Sequence, residues 1–181
     1  EAFGTPEKRG TWFIAGNTSN GKSTLVAKLV KLLIESFDEK VLYCSLEEIG
    51  KASLQKTINE VNMSAVSGKV QYCPKESFDT SVARLKKRDA ARVFVIDSYQ
   101  FTFKTFRQFL KIESENPNVL FIVISQAIKG KIQGKPAEDI QLYADLKIWV
   151  EGHRAICKGR HPGPKGYMDI WKEGAFKYWG N

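Results

Sequence analysis

Apolar positions along this chain switch between unbroken runs and a three- and four-residue spacing, and the switching predicts the order of its elements. Thr11-Trp12-Phe13-Ile14-Ala15, Val41-Leu42-Tyr43-Cys44, Val93-Phe94-Val95-Ile96 and Leu120-Phe121-Ile122-Val123-Ile124 are continuous or nearly continuous apolar stretches. Strands read this way when helices cover both faces of their sheet. Strands are predicted over residues 11–15, 40–45, 70–73, 92–96 and 119–125. Helical spacing is clearest in Leu25, Val26, Leu29, Val30, Leu32 and Leu33, with Lys28, Lys31 and Glu35 mostly on the other side. Helices are predicted over residues 22–36, 51–62, 80–87 and 103–114. After Tyr143 the rhythm changes to short β-like pieces at 147–150, 154–158, 168–171 and 176–179, joined by turns such as Glu151-Gly152 and Glu173-Gly174. The alternation of β-type and helix-type segments predicts a single α/β domain over residues 1–181, with a mostly parallel central sheet flanked by helices and an antiparallel extension at one edge.

Composition narrows the setting. With 43% hydrophobic residues, the chain can bury a substantial core. Cys44, Cys73 and Cys157 are an odd number in no metal-binding spacing, which suits buried small hydrophobes in a reducing compartment. No apolar run reaches the roughly 20 residues that span a bilayer, so no membrane partner is expected and the location is read as cytoplasmic. The chain starts at Glu1 rather than Met, which is read as processing or trimming. A formal net charge of +8 suggests an anionic partner. Basic residues gather at Arg84, Lys86, Lys87, Arg88 and Arg92, which a solvated helix end explains, and at Lys129, Lys131 and Lys135 between glycines.

The candidate chemistry starts at Gly16-Asn17-Thr18-Ser19-Asn20-Gly21-Lys22-Ser23, which fits G-x-x-x-x-G-K-[ST] between a predicted strand and a predicted helix. A glycine-containing turn entering a helix offers backbone N–H groups and a dipole to a polyphosphate. Lys22 then reaches the β- and γ-phosphates, Ser23 offers its hydroxyl to Mg²⁺, and Thr24 stands near a phosphate further back. The apolar strand ending in Asp97 has the form of a metal-orienting carboxylate, although an aspartate there can also cap a turn. Leu46-Glu47-Glu48 follows another strand at the sheet's carboxyl edge, where open α/β folds bind ligands. Glu47 is the first choice for polarising water and Glu48 the second; either can instead start a helix. Gln126 ends a further strand and is placed to touch the γ-phosphate, or to form a turn with Ser125. Tyr178 and Trp179 are candidates for a base contact or for core.

In this order and rough spacing, Gly16 to Ser23, Ser45-Leu46-Glu47-Glu48, Val95-Ile96-Asp97-Ser98-Tyr99-Gln100, Ser125-Gln126 and Lys158-Gly159-Arg160 resemble the RecA-type P-loop ATPases. The DnaB-like and RadA-like branches look most similar. The resemblance implies Glu47 as catalytic glutamate, Asp97 as the Walker B aspartate, and Lys158 and Arg160 as cations reaching the γ-phosphate of a neighbouring copy. It further implies a homo-oligomer, a ring or filament of hexamer-like kind, that hydrolyses ATP with Mg²⁺. The segment 130–145 looks like the family's mobile loop, with Lys129, Lys131 and Lys135 as contacts to single-stranded DNA. Pro162 and His161 stand where the RadA pattern has glycine and phenylalanine, and no four-cysteine module is present. A nucleotide-gated assembly protein without DNA translocation is the alternative. A small-molecule kinase is disfavoured, since no compact arginine-rich lid is readable.

Overall fold

The computed structural model describes residues 2–46, 52–73, 77–159 and 162–180. Its strands are β1 (Gly10–Asn17), β2 (Val41–Ser45), β3 (Val70–Tyr72), β4 (Val93–Asp97), β5 (Leu120–Ile128), β6 (Lys131–Ile132), β7 (Leu146–Glu151), β8 (Arg154–Cys157) and β9 (Tyr167–Asp169). Its helices are α1 (Lys22–Phe37), α2 (Ala52–Glu60), α3 (Phe78–Arg84), α4 (Phe106–Ser114), α5 (Lys135–Tyr143) and α6 (Lys172–Trp179). Among the described residues the strands form one sheet in the order β3-β2-β4-β5-β1-β7-β8-β9, with β6 paired to β5. Every pairing from β3 to β7 along that path is parallel, whereas β8, β9 and β6 add antiparallel. The mostly parallel sheet with an antiparallel edge therefore stands as predicted.

Within each unbroken apolar run, alternate side chains serve opposite faces of the sheet. Trp12, Ile14, Tyr43, Val95, Ile122 and Ile148 pack with Leu25, Val26, Leu29 and Val30 of α1. Phe13, Leu42, Phe94, Phe121 and Val123 pack instead with Phe78, Phe109 and Ile140 of α3, α4 and α5. Cys44 and Cys73 are buried in that second layer. Helix ends carry local reasons. Ser77 accepts from the N–H of Thr80 and starts α3, while Thr105 and Gln108 form a reciprocal capping box that starts α4. That box places the helix start three residues later than the predicted 103, because Phe103 is left-handed (φ 55).

Two predicted stretches differ. Residues 176–179 were expected as a strand but belong to α6, which buries Gly174 and Ala175 while Phe176 faces solvent, and ends where the left-handed Gly180 returns its N–H to the Phe176 carbonyl. A strand would have alternated; aromatic richness was misleading. The segment 130–145, read as a mobile loop, is a hairpin strand followed by a helix. Lys129 and Gly130 both have positive φ and make the tight turn between β5 and β6. Pro136 in the first turn of α5 and Glu138 beside it favour a helix start, and Ala137 and Ile140 anchor it to the core.

Phe121 is fully buried, its ring 6.0 Å from that of Phe94 and 5.8 Å from that of Phe109, both edge-on. Phe121→Ala is expected to lower the unfolding free energy by about 3–5 kcal/mol in chemical denaturation. A loss below about 1 kcal/mol would contradict this packing.

Candidate functional site

The phosphate-loop sequence ends β1 and enters α1 as expected. Gly16 pairs in register with Gln126 on one side and Val150 on the other. A Cβ at Gly16 would collide with the Val150 carbonyl oxygen, so only glycine lets the strands approach this closely. Ser19 (φ 63) and Gly21 (φ 95) then reverse the chain in left-handed backbone, and Gly21 caps α1. Asn20 fastens the turn: its amide donates to the Thr18 carbonyl at 2.9 Å, and its Oδ1 accepts the Gly152 N–H at 2.8 Å. Lys22 Nζ donates to the carbonyls of Gly16 and Asn17, each at 2.9 Å, which folds the cation over the loop.

The sheet order decides what faces this loop. β5 lies between β1 and β4, so Gln126 stands next to the loop and Asp97 one strand further on. Asp97 is 6% exposed and accepts from Tyr43 Oη at 3.0 Å and from Ser98 Oγ at 3.2 Å. Gln100 ties the turn after β4 to β5, donating to Ser125 Oγ at 2.9 Å and to the Gln126 carbonyl at 3.2 Å. Tyr99 anchors the other side of that turn by donating to the carbonyls of Lys104 and Thr105. Burial pushes the Tyr99 phenol up to about 12, so it remains a donor throughout neutral pH.

Thr18, Ser19, Gly21, Lys22, Ser23, Thr24, Asp97 and Gln126 line one cleft of about 640 Å³. Lys28, Lys56 and Glu60 complete its polar wall, and His153 and Trp171 also face it. Those last two escaped the sequence reading. Only the Glu151-Gly152 turn hinted that His153 would be swung toward the loop. Tyr178 and Trp179, the earlier candidates for a base contact, lie on α6, where Tyr178 Oη donates to Glu151 at 3.0 Å.

Lys158 does not reach this cleft. Its N–H bonds the Lys147 carbonyl at 2.8 Å, three residues before Val150 along β7, so it sits roughly 10 Å toward the other end of the sheet. Lys129 and Lys131 occupy the β5–β6 hairpin, and Lys135 pairs with Asp139 at 2.7 Å and Glu138 at 3.8 Å. The Asp139 carboxylate beside Lys135 holds its ammonium above the usual lysine range. Glu47, Glu48 and Arg160 lie outside the described residues.

The residues present fit a Mg²⁺-bound polyphosphate. Ser23 and Asp97 are hard oxygen donors in the cleft that Lys22 and the loop also line. Mg²⁺ is commonly held by one or two such groups together with substrate phosphates.

No protein-family model matches the chain, and no curated protein matches it. Solved structures do. A KaiC-like protein from the hyperthermophilic archaeon Pyrococcus horikoshii OT3 is similar with a TM-score of 0.60 and 19% identity, over 88% of this chain and 88% of that one. The flagellar accessory protein FlaH from Methanocaldococcus jannaschii gives a TM-score of 0.62 and 17% identity, over 90% of this chain and 84% of that one. The fold is thus RecA-like. Among the described residues, no helix is long and apolar enough to cross a membrane.

Gly16→Ala forces β1 away from β7 at the root of the loop. It is expected to destabilise the protein by about 1–3 kcal/mol in urea unfolding, as overpacking does. Wild-type stability in this variant would show that the close approach is not required.

Proposed function

We propose that this chain is a single RecA-like domain that binds and hydrolyses ATP with Mg²⁺, acting as a cytoplasmic homo-oligomer. The observation that carries the reading is the convergence of Lys22, Ser23, Asp97 and Gln126 on one cleft at the carboxyl ends of neighbouring strands. Lys22 and the first N–H groups of α1 hold the phosphates; Thr24 supports a phosphate nearer the sugar. Ser23 and Asp97 hold Mg²⁺, whose charge offsets that of the β- and γ-oxygens. Glu47 polarises the attacking water, and Gln126 contacts the γ-phosphate from β5. Lys158 and Arg160 serve a neighbouring copy, a role that the distance of Lys158 from its own cleft supports.

The order of motifs supports the DnaB-like or RadA-like branch and work on single-stranded DNA, with Lys129 and Lys131 on the exposed hairpin as phosphate contacts. Lys135 contributes less, because its own helix supplies two carboxylates. A second reading, nucleotide-gated protein assembly, is favoured by that pairing and by one structural neighbour's being named a flagellar accessory protein.

Magnesium-dependent ATP hydrolysis should fall about a hundredfold or more in Lys22→Ala, Asp97→Asn and Glu47→Gln, as loss of transition-state stabilisation predicts. Unchanged turnover in all of them would refute the hydrolytic site. Turnover that rises with protein concentration and is lost in Arg160→Ala is expected from a group supplied by a neighbour. Acceleration by single-stranded DNA, reduced by raised salt, separates the DNA reading from assembly alone.

A further inference from the structure

We infer that His153 and Trp171 form the platform for the nucleotide's base, so that the cleft recognises a purine nucleoside triphosphate by its ring as well as by its phosphates; this rests on the phosphate reading above. Both side chains line the same cleft as Lys22, Ser23 and Thr24. Their rings meet edge to face, 5.0 Å apart at 79°, and Trp171 is 49% exposed, which leaves indole surface to be covered. Offset and edge contacts of this kind suit a further flat ring, and a purine overlaps an indole more fully than a pyrimidine does.

The pair is built into the fold. His153 follows Gly152 in left-handed backbone (φ 58), and its carbonyl accepts from Ile170 at 2.8 Å and Trp171 at 3.4 Å, which locks the two residues side by side. A Cβ on Gly174 would strike both rings, so α6 closes against their back only because that position is glycine. Asn20 joins this turn directly to the phosphate loop through the Gly152 N–H. Ile170 also packs against Gly21, within 3.3 Å of where its Cβ would be.

Placement along the sheet gives the direction. Asp97 ends β4, two strands to one side of β1, and His153 lies in the turn between β7 and β8 on the other side. At about 4.8 Å per strand Asp97 lies on the order of 10 Å from the loop, whereas the His153 ring stands against it, its Nδ1 3.8 Å from where a Cβ on Gly21 would be. The γ-phosphate end then faces Asp97 and the base faces Trp171.

Calorimetric titration with Mg²⁺ and either a non-hydrolysable ATP analogue, its CTP counterpart or inorganic tripolyphosphate tests this. Trp171→Ala should weaken the ATP analogue about tenfold, the scale of one base–aromatic stack, and leave tripolyphosphate within about twofold. Trp171→Phe should regain most of the loss, His153→Asn should weaken the ATP analogue alone, and the wild type should prefer the ATP analogue to the CTP one. Unchanged affinity for the ATP analogue in Trp171→Ala, or an equal loss for tripolyphosphate, overturns the platform. Wild-type protein that binds tripolyphosphate as tightly as the ATP analogue also overturns it while leaving the phosphate cradle standing. Wild-type protein that binds neither removes both.

Discussion

The contact between Gly16 and the Val150 carbonyl is the constraint from which the rest of the site follows. Because β1 runs flush against β7 up to that point, the chain must leave the strand abruptly, and it does so through left-handed Ser19 and Gly21 into α1. The helix thereby opens at the sheet's edge with its first N–H groups unspent by helical hydrogen bonds. Those groups and the dipole behind them make the turn attractive to anions. α1 in turn buries Leu25, Val26, Leu29 and Val30 against the sheet, so the cradle is held by the main core rather than by the loop itself.

A second layer of order comes from buried polar pairing. Asp97 lies almost out of solvent, and a carboxylate so placed is stable only with donors around it. Tyr43 from the adjacent strand and Ser98 from its own chain supply two. Gln100 reaches the neighbouring strand at Ser125 and at the Gln126 carbonyl, so the ends of β2, β4 and β5 are tied by side chains as well as by the ladder. Motion of Gln126 is therefore mechanically linked to the turn that follows Asp97.

Local signals carried most of this fold and part of the site. The phosphate loop is contiguous in sequence, and the central strands are apolar on both faces, so both features survive without tertiary information. α6 was hidden because a short segment with one glycine and three aromatics gives no clear period, and α5 because its nine residues follow Gly130 and Gly134 and read as part of a glycine-containing loop. Trp171 and His153 were hidden for a different reason. Their neighbourhood is made by antiparallel pairing of β8 with β9 and by the packing of Gly174, neither of which leaves a mark at fixed spacing.

In the proposed function, charge balance gives a physical reason for a second copy to complete the cleft. Among the described residues that line it, Lys22, Lys28 and Lys56 face Glu60 and Asp97, a net of one positive charge. Lys28 is also engaged, donating to the Ile170 carbonyl at 2.7 Å. A Mg²⁺ ion adds two charges, which still falls short of the roughly four negative charges of a nucleoside triphosphate. In the proposed hydrolysis that deficit would fall on the γ-oxygens, where an uncompensated charge in a partly dry cleft costs most. Lys158 lies too far along the sheet to supply it within one chain. In the proposed function, a cation delivered by an adjacent subunit would close the balance only when the subunits are in contact, so that turnover would follow assembly.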